Sequence, residues 1–385
     1  MIKRIFFAGL GVLLLNGCTA YQCSMSKGFI GPDVPEYIFS NGLIRIKVAS
    51  GIAGIVSGFE YLPEKKQLFE PLIYKVEKHD LLPDSVHASV TGGRELVWGV
   101  GNFGNAKMTV HRVHVEPAKT FIEMSTRFFQ GENIEARKRV EIHSGTLLVD
   151  VTFTIVNRNK KMQKMSLWKH LTARITPEKR DTILIPARGG IDRVAGKAVL
   201  EMDEDVIYHD FAPEHQAVFM APLAPWMGRC SSDGVNRGTL VMSCDEMLGP
   251  EAFFYSWKSP VNPLHTAEMV LPGCELPYRG SKTYRIRYYF FPHLKAIRAL
   301  SGTTGIDIEP GFVVLENAVD VPARSLTLFC GKKAIGSYRI PALAAGEVYR
   351  IAVDTGFTGN DISLSGQWDN KEKFNLPKIK ESVKK

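Results

Sequence analysis

The stretch that decides the fold runs from Arg137 to His170 and reads RKRVEIHSGTLLVDVTFTIVNRNKKMQKMSLWKH. Apolar residues alternate with polar ones along it, first at Val140 and Ile142, and a His-Ser-Gly-Thr step follows. A second alternating run then follows at Leu147, Val149, Val151, Phe153 and Ile155. A period of two is that of β-strands with one buried face. Because Ser and Gly are turn residues, the stretch predicts a β-hairpin.

A third strand is expected after this hairpin. The polar stretch 157–159 breaks the pattern, and a new strand opens at Met165 and ends with Trp168 and His170. Residues two apart on a strand project from the same face. One sheet face would therefore present an aromatic platform beside an imidazole, which can transfer protons near neutral pH. This pairing is typical of sugar sites.

The rest of the chain also favours strands. Strand-like segments separated by turn residues occur at 43–48, 54–61, 72–76, 108–115, 120–129, 238–243, 252–257 and 284–291. No long segment with a period of 3.6 interrupts them, which indicates an all-β protein. Residues 37–294 have the length of one large β domain. Shorter strand-like runs predict a small β-sandwich module at 302–370, and the Lys-rich segment 371–385 is expected to be a solvated tail.

The order of these elements resembles the middle of galactose mutarotase-like domains, the β-supersandwich of aldose epimerases and related carbohydrate-active proteins. The opening phrase Asn41, Gly42, Leu43 and the later glycines Gly51 and Gly54 are similar to the start of that domain. The resemblance implies that residues 37–294 form a mutarotase-like β-supersandwich and that the smaller C-terminal module is Ig-like.

The resemblance also implies a catalytic pair. In that family a carboxylate precedes the closing aromatic strand, and Glu268 takes this place here, with Glu275 as the competing choice. Opening a hemiacetal ring needs one group that removes the anomeric hydroxyl proton and another that protonates the ring oxygen. Glu268 would be the base and His170 the acid. The alternative for His170 is a structural, hydrogen-bonding role.

Three further residues are candidates for substrate binding, besides Trp168. Asn102 and Asn105 lie in GNFGNAKM, where aldose epimerases carry an Asn-Arg pair that holds sugar hydroxyls. Here Ala106 and Lys107 follow Asn105, so that motif is not matched, and both asparagines also suit plain turns. Trp226 ends a loop-rich stretch, where it would either stack on a sugar or serve as a buried anchor.

The N-terminus has the pattern of an exported lipoprotein. Two basic residues precede the apolar run 5–15, which is too short to span a membrane. Residues 1–17 are therefore expected to be a signal peptide, and 15–18 resemble the bacterial lipobox, whose Cys18 would be lipidated. An ordinary signal peptide is the alternative. Residues 18–36 suit a flexible tether, and the absence of Asp after the cysteine favours the outer membrane of a bacterial envelope by family analogy.

Composition limits the remaining classes of function. The net charge of +8 is modest, and the basic residues are scattered, so no nucleic-acid partner is expected. The six cysteines include no CxxC motif and no Cys/His cluster, so no metal and no other cofactor is expected. Export would permit a disulfide between Cys230 and Cys244, whereas two buried thiols are the alternative.

Two hypotheses for function follow. The first is a membrane-anchored envelope lipoprotein that binds a mono- or polysaccharide through its mutarotase-like domain, with epimerase, lyase or hydrolase activity. The second is a non-catalytic glycan-binding or structural surface lipoprotein, which the missing Asn-Arg motif favours. Turnover needs an acid and a base that converge on one cleft, whereas binding does not. The relative positions of His170 and Glu268 therefore separate the two hypotheses.

Overall fold

The structure is a computed structural model of the chain. It describes residues 21–30, 34–67, 74–78, 86–90, 92–98, 107–128, 133–174, 181–187, 193–195, 200–203, 206–209, 216–231, 238–259, 264–353 and 364–376. Almost all regular structure in these ranges is β, with one short 3-10 helix at Asp245–Leu248. In the same ranges, no helix has the length and hydrophobicity that a membrane span requires. The all-β prediction is confirmed.

The first half of the chain forms strands β1 to β16. Their bounds are Ser24–Ile30, Val34–Ser40, Ile44–Ala49, Ile55–Tyr61, Lys66–Gln67, Tyr74–Lys78, Val86–Val90, Gly92–Trp98, Thr109–Val115, Lys119–Phe128, Ile134–His143, Leu148–Asn157, Gln163–Arg174, Asp181–Pro186, Arg193–Ala195 and Leu200–Asp203. Strands β17 to β32 follow in the second half. Their bounds are Val206–His209, Gln216–Met220, Trp226–Ser231, Gly238–Cys244, Phe253–Ser259, Leu264–Val270, Cys274–Leu276, Ser281–Phe291, Ala299–Ser301, Thr304–Glu309, Phe312–Asn317, Arg324–Cys330, Lys333–Ile340, Val348–Ala352, Leu364–Trp368 and Lys373–Leu376.

Two large antiparallel sheets make up most of the molecule. The 12-stranded sheet has the order β1-β2-β3-β4-β8-β13-β22-β21-β18-β15, with β5 on β4 and β23 on β13. The 10-stranded sheet has the order β16-β17-β14-β19-β20-β24-β12-β11-β10-β9. Non-consecutive neighbours such as β8, β13 and β22 mean that residues far apart in sequence meet in one sheet.

The predicted hairpin is β11 and β12, and its apolar parity faces the core. Val140 and Ile142 are buried, as are the five apolar residues of the second strand, Leu147, Val149, Val151, Phe153 and Ile155. Gly145 adopts a φ of +65° in the turn, a left-handed conformation that glycine takes without a steric penalty. Burial of one alternating face against the other sheet is what stabilises both strands.

Three charged side chains lie inside this core. Lys138 of β11 places Nζ 2.5 Å from Glu95 Oε2 of β8, and Lys169 of β13 places Nζ 2.5 Å from Glu95 Oε1. All three side chains have no exposed surface. Burial alone would raise the pKa of Glu95, but the two lysines bring it below its ordinary value. Burial lowers the pKa of Lys169 to about 8. This group, the buried charge triad, links the two large sheets.

The C-terminal strands form two four-stranded sheets, β25-β26-β27-β30 and β29-β28-β31-β32. They enclose their own apolar cluster around Trp368, Leu328 and Ile340. Val314 and Ala318 instead belong to the main core, so the small sandwich packs on the large one. At this junction His293 contacts two carboxylates, Nε2 2.6 Å from Glu64 and Nδ1 2.8 Å from Glu316.

Three expectations for individual segments are corrected. The predicted tether 18–36 contains β1 and the first residues of β2. These two strands pair in antiparallel register. The predicted tail 371–385 contains β32, which pairs with β31, while 377–385 lie outside the described residues. All five described cysteines are free thiols, so Cys230 and Cys244 do not form a disulfide. Burial accounts for these two cysteines, which matches the alternative interpretation.

Candidate functional site

Four strands of the 12-stranded sheet bring one row of polar and aromatic side chains together. In the register, His170 of β13 lies opposite Arg94 of β8 on one side and opposite Glu268 of β22 on the other. Glu268 in turn lies opposite Tyr255 of β21. Directly opposed residues of neighbouring strands project from the same face with their Cβ atoms about 5 Å apart. Arg94, His170, Glu268 and Tyr255 are therefore consecutive neighbours across the sheet.

This row lies on the face that points away from the 10-stranded sheet. The residues that alternate with it on the same strands, Glu95 and Lys169, point the other way and meet Lys138 of that sheet. Trp168 shares the face of the row: its ring is 4.9 Å from that of His170 and 6.1 Å, edge-on, from that of Tyr255. Trp168 and Tyr255 are partly exposed, so two aromatic rings border the row.

His170 and Glu268 form a close pair in which burial favours the neutral forms. His170 Nδ1 lies 3.5 Å from Glu268 Oε2, and the residues are 6% and 2% exposed. Burial raises the pKa of Glu268 to about 8, although hydrogen bonding from Thr266 and the charge of Arg94 oppose the rise. Burial, followed by the charges of Arg94 and Lys169, holds the pKa of His170 well below its ordinary value. At pH 7 the carboxyl group is therefore protonated and the imidazole neutral.

Several buried polar atoms on this face of the sheet have no hydrogen-bond partner among the described residues. They are Nε of Arg94, both ring nitrogens of His170, Oγ1 of Thr172 and Oε2 of Glu268. Native proteins pair nearly all their buried polar groups, because an unpaired one costs about 1–3 kcal/mol. Such a cluster, at consecutive positions on one face, is expected where a ligand supplies the missing hydrogen bonds. We call the cluster, together with Trp168 and Tyr255, the central face.

The predicted site residues lie in three different places. Trp168, His170 and Glu268 meet on the central face, whereas Glu275, the competing carboxylate, is exposed on β23. Trp226 is 3% exposed and belongs to the main core in β19, so it is not available to stack on a sugar. The prediction of substrate binding by Trp226 is corrected, because its side chain is buried as an anchor. Asn102, Asn105 and Cys18 lie outside the described residues.

Sequence reasoning missed Arg94 and Tyr255. Arg94 lies in the phrase TGGRELVW, where it shares its parity with Leu96, and Tyr255 lies in the predicted strand 252–257. Period-two alternation could have assigned each to a face of its own strand. It could not show that β8 and β21 flank the strands that carry His170 and Glu268, because strand order depends on long-range pairing.

A second polar surface lies on the 10-stranded sheet. It is a groove of about 870 Å³ formed by β9 to β12. Its Arg137 pairs with Glu135 at 2.6 Å, and its Arg139 pairs with Glu123 at 3.1 Å. Because these charges already satisfy one another, the groove makes a weaker case for a ligand than the central face does. Among the described residues, no group of three side chains could hold a metal ion.

Solved structures of similar fold include a galactose mutarotase-like protein from Clostridium acetobutylicum, at 12% identity over 70% of this chain and 99% of that chain, with a TM-score of 0.46. Another from Lactobacillus casei has 10% identity over 69% and 100% of the two chains, with a TM-score of 0.44. A TPR-domain containing protein from Parabacteroides distasonis has 10% identity and a TM-score of 0.53 over 76% of this chain and 57% of that chain. No family model matches the sequence, and no curated protein matches it.

At these identities the similarities concern the fold alone, and no activity or ligand follows from them. The chain has the all-β fold with large antiparallel sheets that the sequence predicts.

Proposed function

We propose that the protein binds a sugar on the central face and interconverts its anomers there. The observation that supports this proposal is the cluster of buried polar atoms without partners among the described residues, which lies beside two partly exposed aromatic rings in edge-on contact. Aromatic faces stack on the apolar face of a sugar ring, while the polar atoms beside them match its hydroxyl groups.

The pair His170 and Glu268 fits proton transfer with roles opposite to those assigned from the sequence. Glu268 is protonated at pH 7 and can donate, whereas His170 is neutral and can accept. His170 takes the proton of the anomeric hydroxyl while Glu268 protonates the ring oxygen. The bond between the anomeric carbon and the ring oxygen then breaks, and the anomeric C–O bond becomes a carbonyl. Ring closure on the other face of this carbonyl returns both protons and gives the other anomer.

The short distance within the pair supports this assignment. After the forward proton transfers, an imidazolium and a carboxylate lie next to each other, starting from a separation of 3.5 Å. Opposite charges at this distance attract strongly in a buried site, which offsets part of the cost of forming them there. The arrangement thus carries an acid and a base that regenerate each other in one cycle.

The test is the rate at which freshly dissolved α-D-galactose and α-D-glucose approach anomeric equilibrium, followed by NMR. Glu268→Gln and His170→Ala should each lower the enzymatic rate by about 10²- to 10⁴-fold, the usual contribution of a positioned acid or base. Glu275→Gln removes an exposed carboxylate from β23 and is the matched control, with no loss expected. Equal rates for Glu268→Gln and Glu275→Gln would contradict the proposal.

A second candidate function is sugar binding without turnover. The nearly complete burial of His170 and Glu268 favours it, because a reacting sugar must reach both groups. In this case the wild-type protein binds the sugar but does not accelerate anomer exchange. Trp168→Ala should then weaken binding through the loss of one stacking surface.

We also propose that lipid on Cys18 holds the protein at the surface of a bacterial envelope, most simply the outer membrane. The support is the sequence alone: a basic start, an apolar run and a lipobox-like ending before the cysteine. The sugar site would then face material at that surface.

A further inference from the structure

Arg94 is the unexplained charge of the central face. It lies on β8 opposite His170 and is partly exposed, but its Nε is buried, and that atom has no hydrogen-bond partner among the described residues. Among the described residues, no carboxylate lies within ion-pair distance of its guanidinium group. The anomer exchange described above uses only His170 and Glu268, so it assigns no role to Arg94.

We propose that the sugar bound on the central face carries a carboxylate, as uronic acids do, and that this carboxylate pairs with Arg94. The inference rests on the proposed sugar binding and specifies the class of sugar. Arg94 is partly exposed, but leaving its buried Nε without a hydrogen bond is costly, and the cost falls when a counter-charge with hydrogen-bonding oxygens binds to it.

Glu268 does not supply this counter-charge. Its carboxylate form would attract Arg94, but the carboxyl group remains protonated at pH 7 because burial raises its pKa to about 8. Tyr255, on the far side of Glu268, is also neutral at this pH, since burial raises its pKa to about 12. In the described part of the row, the positive charge of Arg94 is therefore not balanced by an anion.

The buried charge triad directly behind the row adds to the positive potential. Lys169 is adjacent to His170 along β13, and Glu95 is adjacent to Arg94 along β8. The side chains of Lys169 and Glu95 therefore project from the opposite face of the sheet. With Lys138, the triad contains two lysines and one glutamate, so it cannot cancel the charge of Arg94. The low pKa of His170, to which the charges of both Arg94 and Lys169 contribute, is consistent with this positive potential. An anionic group is the ligand chemistry that such a site favours.

The planar shape of the Arg94 guanidinium group favours a carboxylate over other anions. A guanidinium group is planar and matches the two oxygens of a carboxylate in a bidentate contact. On the described part of the central face, Arg94 is the single cationic side chain, because His170 is neutral. One guanidinium balances one negative charge, whereas a phosphate ester carries up to two at neutral pH.

The test compares D-glucuronate, D-glucose and D-glucose 6-phosphate at pH 7 by titration calorimetry on the full-length protein. Glucuronate should bind about 10- to 100-fold more tightly than glucose, the range expected for a hydrogen bond to a charged group. Arg94→Gln should abolish this preference, and Arg94→Lys should restore part of it. Arg127→Gln, which removes an exposed arginine from the groove of the other sheet, should keep it.

The outcomes separate this inference from the proposed function. Glucose and glucuronate bound with equal affinity by the wild-type protein would overturn the carboxylate inference while leaving sugar binding intact. Preferred binding of the phosphate ester would also overturn it. Failure to bind any of the three sugars would instead contradict the proposed function itself. The wild-type comparison needs no variant, so an unfolded Arg94→Gln protein would not leave the inference untested.

Discussion

At the scale of the residue, the raised pKa of Glu268 lets its carboxyl group donate a proton at pH 7. It also makes the stability of the folded protein depend on pH. Its carboxyl group is 2% exposed and has an ordinary pKa of 4.5 in the unfolded chain, against about 8 in the folded protein. Between these values the folded state holds a proton that the unfolded state has released. The stability contributed by this group is therefore fully present below pH 4.5 and is lost as the pH rises toward 8.

Glu268→Gln should remove this pH dependence. The amide keeps the shape of a protonated carboxyl group but does not ionise on unfolding. At pH 8 we expect the variant to be more stable than the wild type by on the order of 2–4 kcal/mol, with a much smaller difference at pH 5. Urea denaturation at the two pH values measures this, with Glu275→Gln as the exposed control. An unchanged difference between pH 5 and pH 8 would show that Glu268 is not protonated in the folded protein.

Local sequence reasoning reached part of the central face. Strand parity predicts that Trp168 and His170 share a face, and their rings are 4.9 Å apart in the structure. Parity could not identify Arg94 as a neighbour of His170, since 76 positions of sequence separate the two and only sheet order brings them together. It also assumed ordinary protonation states, and burial reverses these for Glu268 and His170.

At the scale of the element, β8 fits between its neighbours because it begins with two glycines. Gly93 pairs with Val56 of β4, and a Cβ atom at this position would lie 2.1 Å from Tyr288 Oη of the opposite sheet. Real Cβ atoms do not approach another atom so closely. The hydroxyl of Tyr288 is buried and has no hydrogen-bond partner in the described part of the chain, so it fills space here.

Gly93→Ala should destabilise the protein by about 1–3 kcal/mol, the usual cost of overpacking a core. Tyr288→Phe in the same chain should recover part of this loss, because it removes the atom nearest to the new methyl group. Gly28→Ala on β1 is the matched control, since its Cβ would meet Ile38 at an ordinary 3.7 Å. Thermal unfolding of the four proteins tests the argument, and equal melting temperatures for Gly93→Ala and Gly28→Ala would refute it.

Strand β1 shows why one element escaped prediction from sequence. Among the described strands it pairs only with β2, at the edge of the sheet, and its seven residues SMSKGFI are all exposed or partly exposed. Without a buried face, no strong hydrophobic alternation is required, and polar residues on an edge discourage pairing with other chains. The signal that identified β11 and β12 was therefore absent from this segment.

At the scale of the whole molecule, the early start of β1 matters for the proposed anchor. Five residues, 19–23, separate Cys18 from the first strand. Fully extended, a linker of this length spans about 20 Å. A lipid on Cys18 would therefore hold the sandwich close to the membrane surface, rather than at the end of the longer tether expected from the sequence.

Expression of the native chain in a bacterial host tests the anchor. The protein should incorporate labelled palmitate and partition into detergent, because acyl chains on Cys18 would insert into lipid. Cys18→Ser should lose the label and be released, whereas Cys23→Ser, which changes a buried thiol on the folded body, should keep it. A wild-type protein without label would disprove lipidation.

The order of the strands was beyond sequence reasoning for a general reason. Periodicity reports which residues of a strand face a core, but each strand can satisfy that requirement beside many partners. In the 12-stranded sheet, β4 neighbours β8 and β13 neighbours β22, pairings that local sequence does not encode. The sequence pattern led us to expect an all-β architecture, which the two large sheets confirm, whereas the row of residues across four strands required the structure.

The buried charge triad has a consequence for how the two sheets align. Lys138 occupies a core-facing position of β11 between Ala136 and Val140, where alternation alone would accept any apolar residue. Apolar surfaces tolerate sliding, because one buried methyl group resembles the next. A lysine that must reach Glu95 does not, since a shift of two residues along β11 would bury its ammonium group far from any carboxylate. The triad therefore fixes the alignment of the two sheets, because a misaligned packing would bury an unpaired charge. Hydrophobic burial by itself would not provide this specificity.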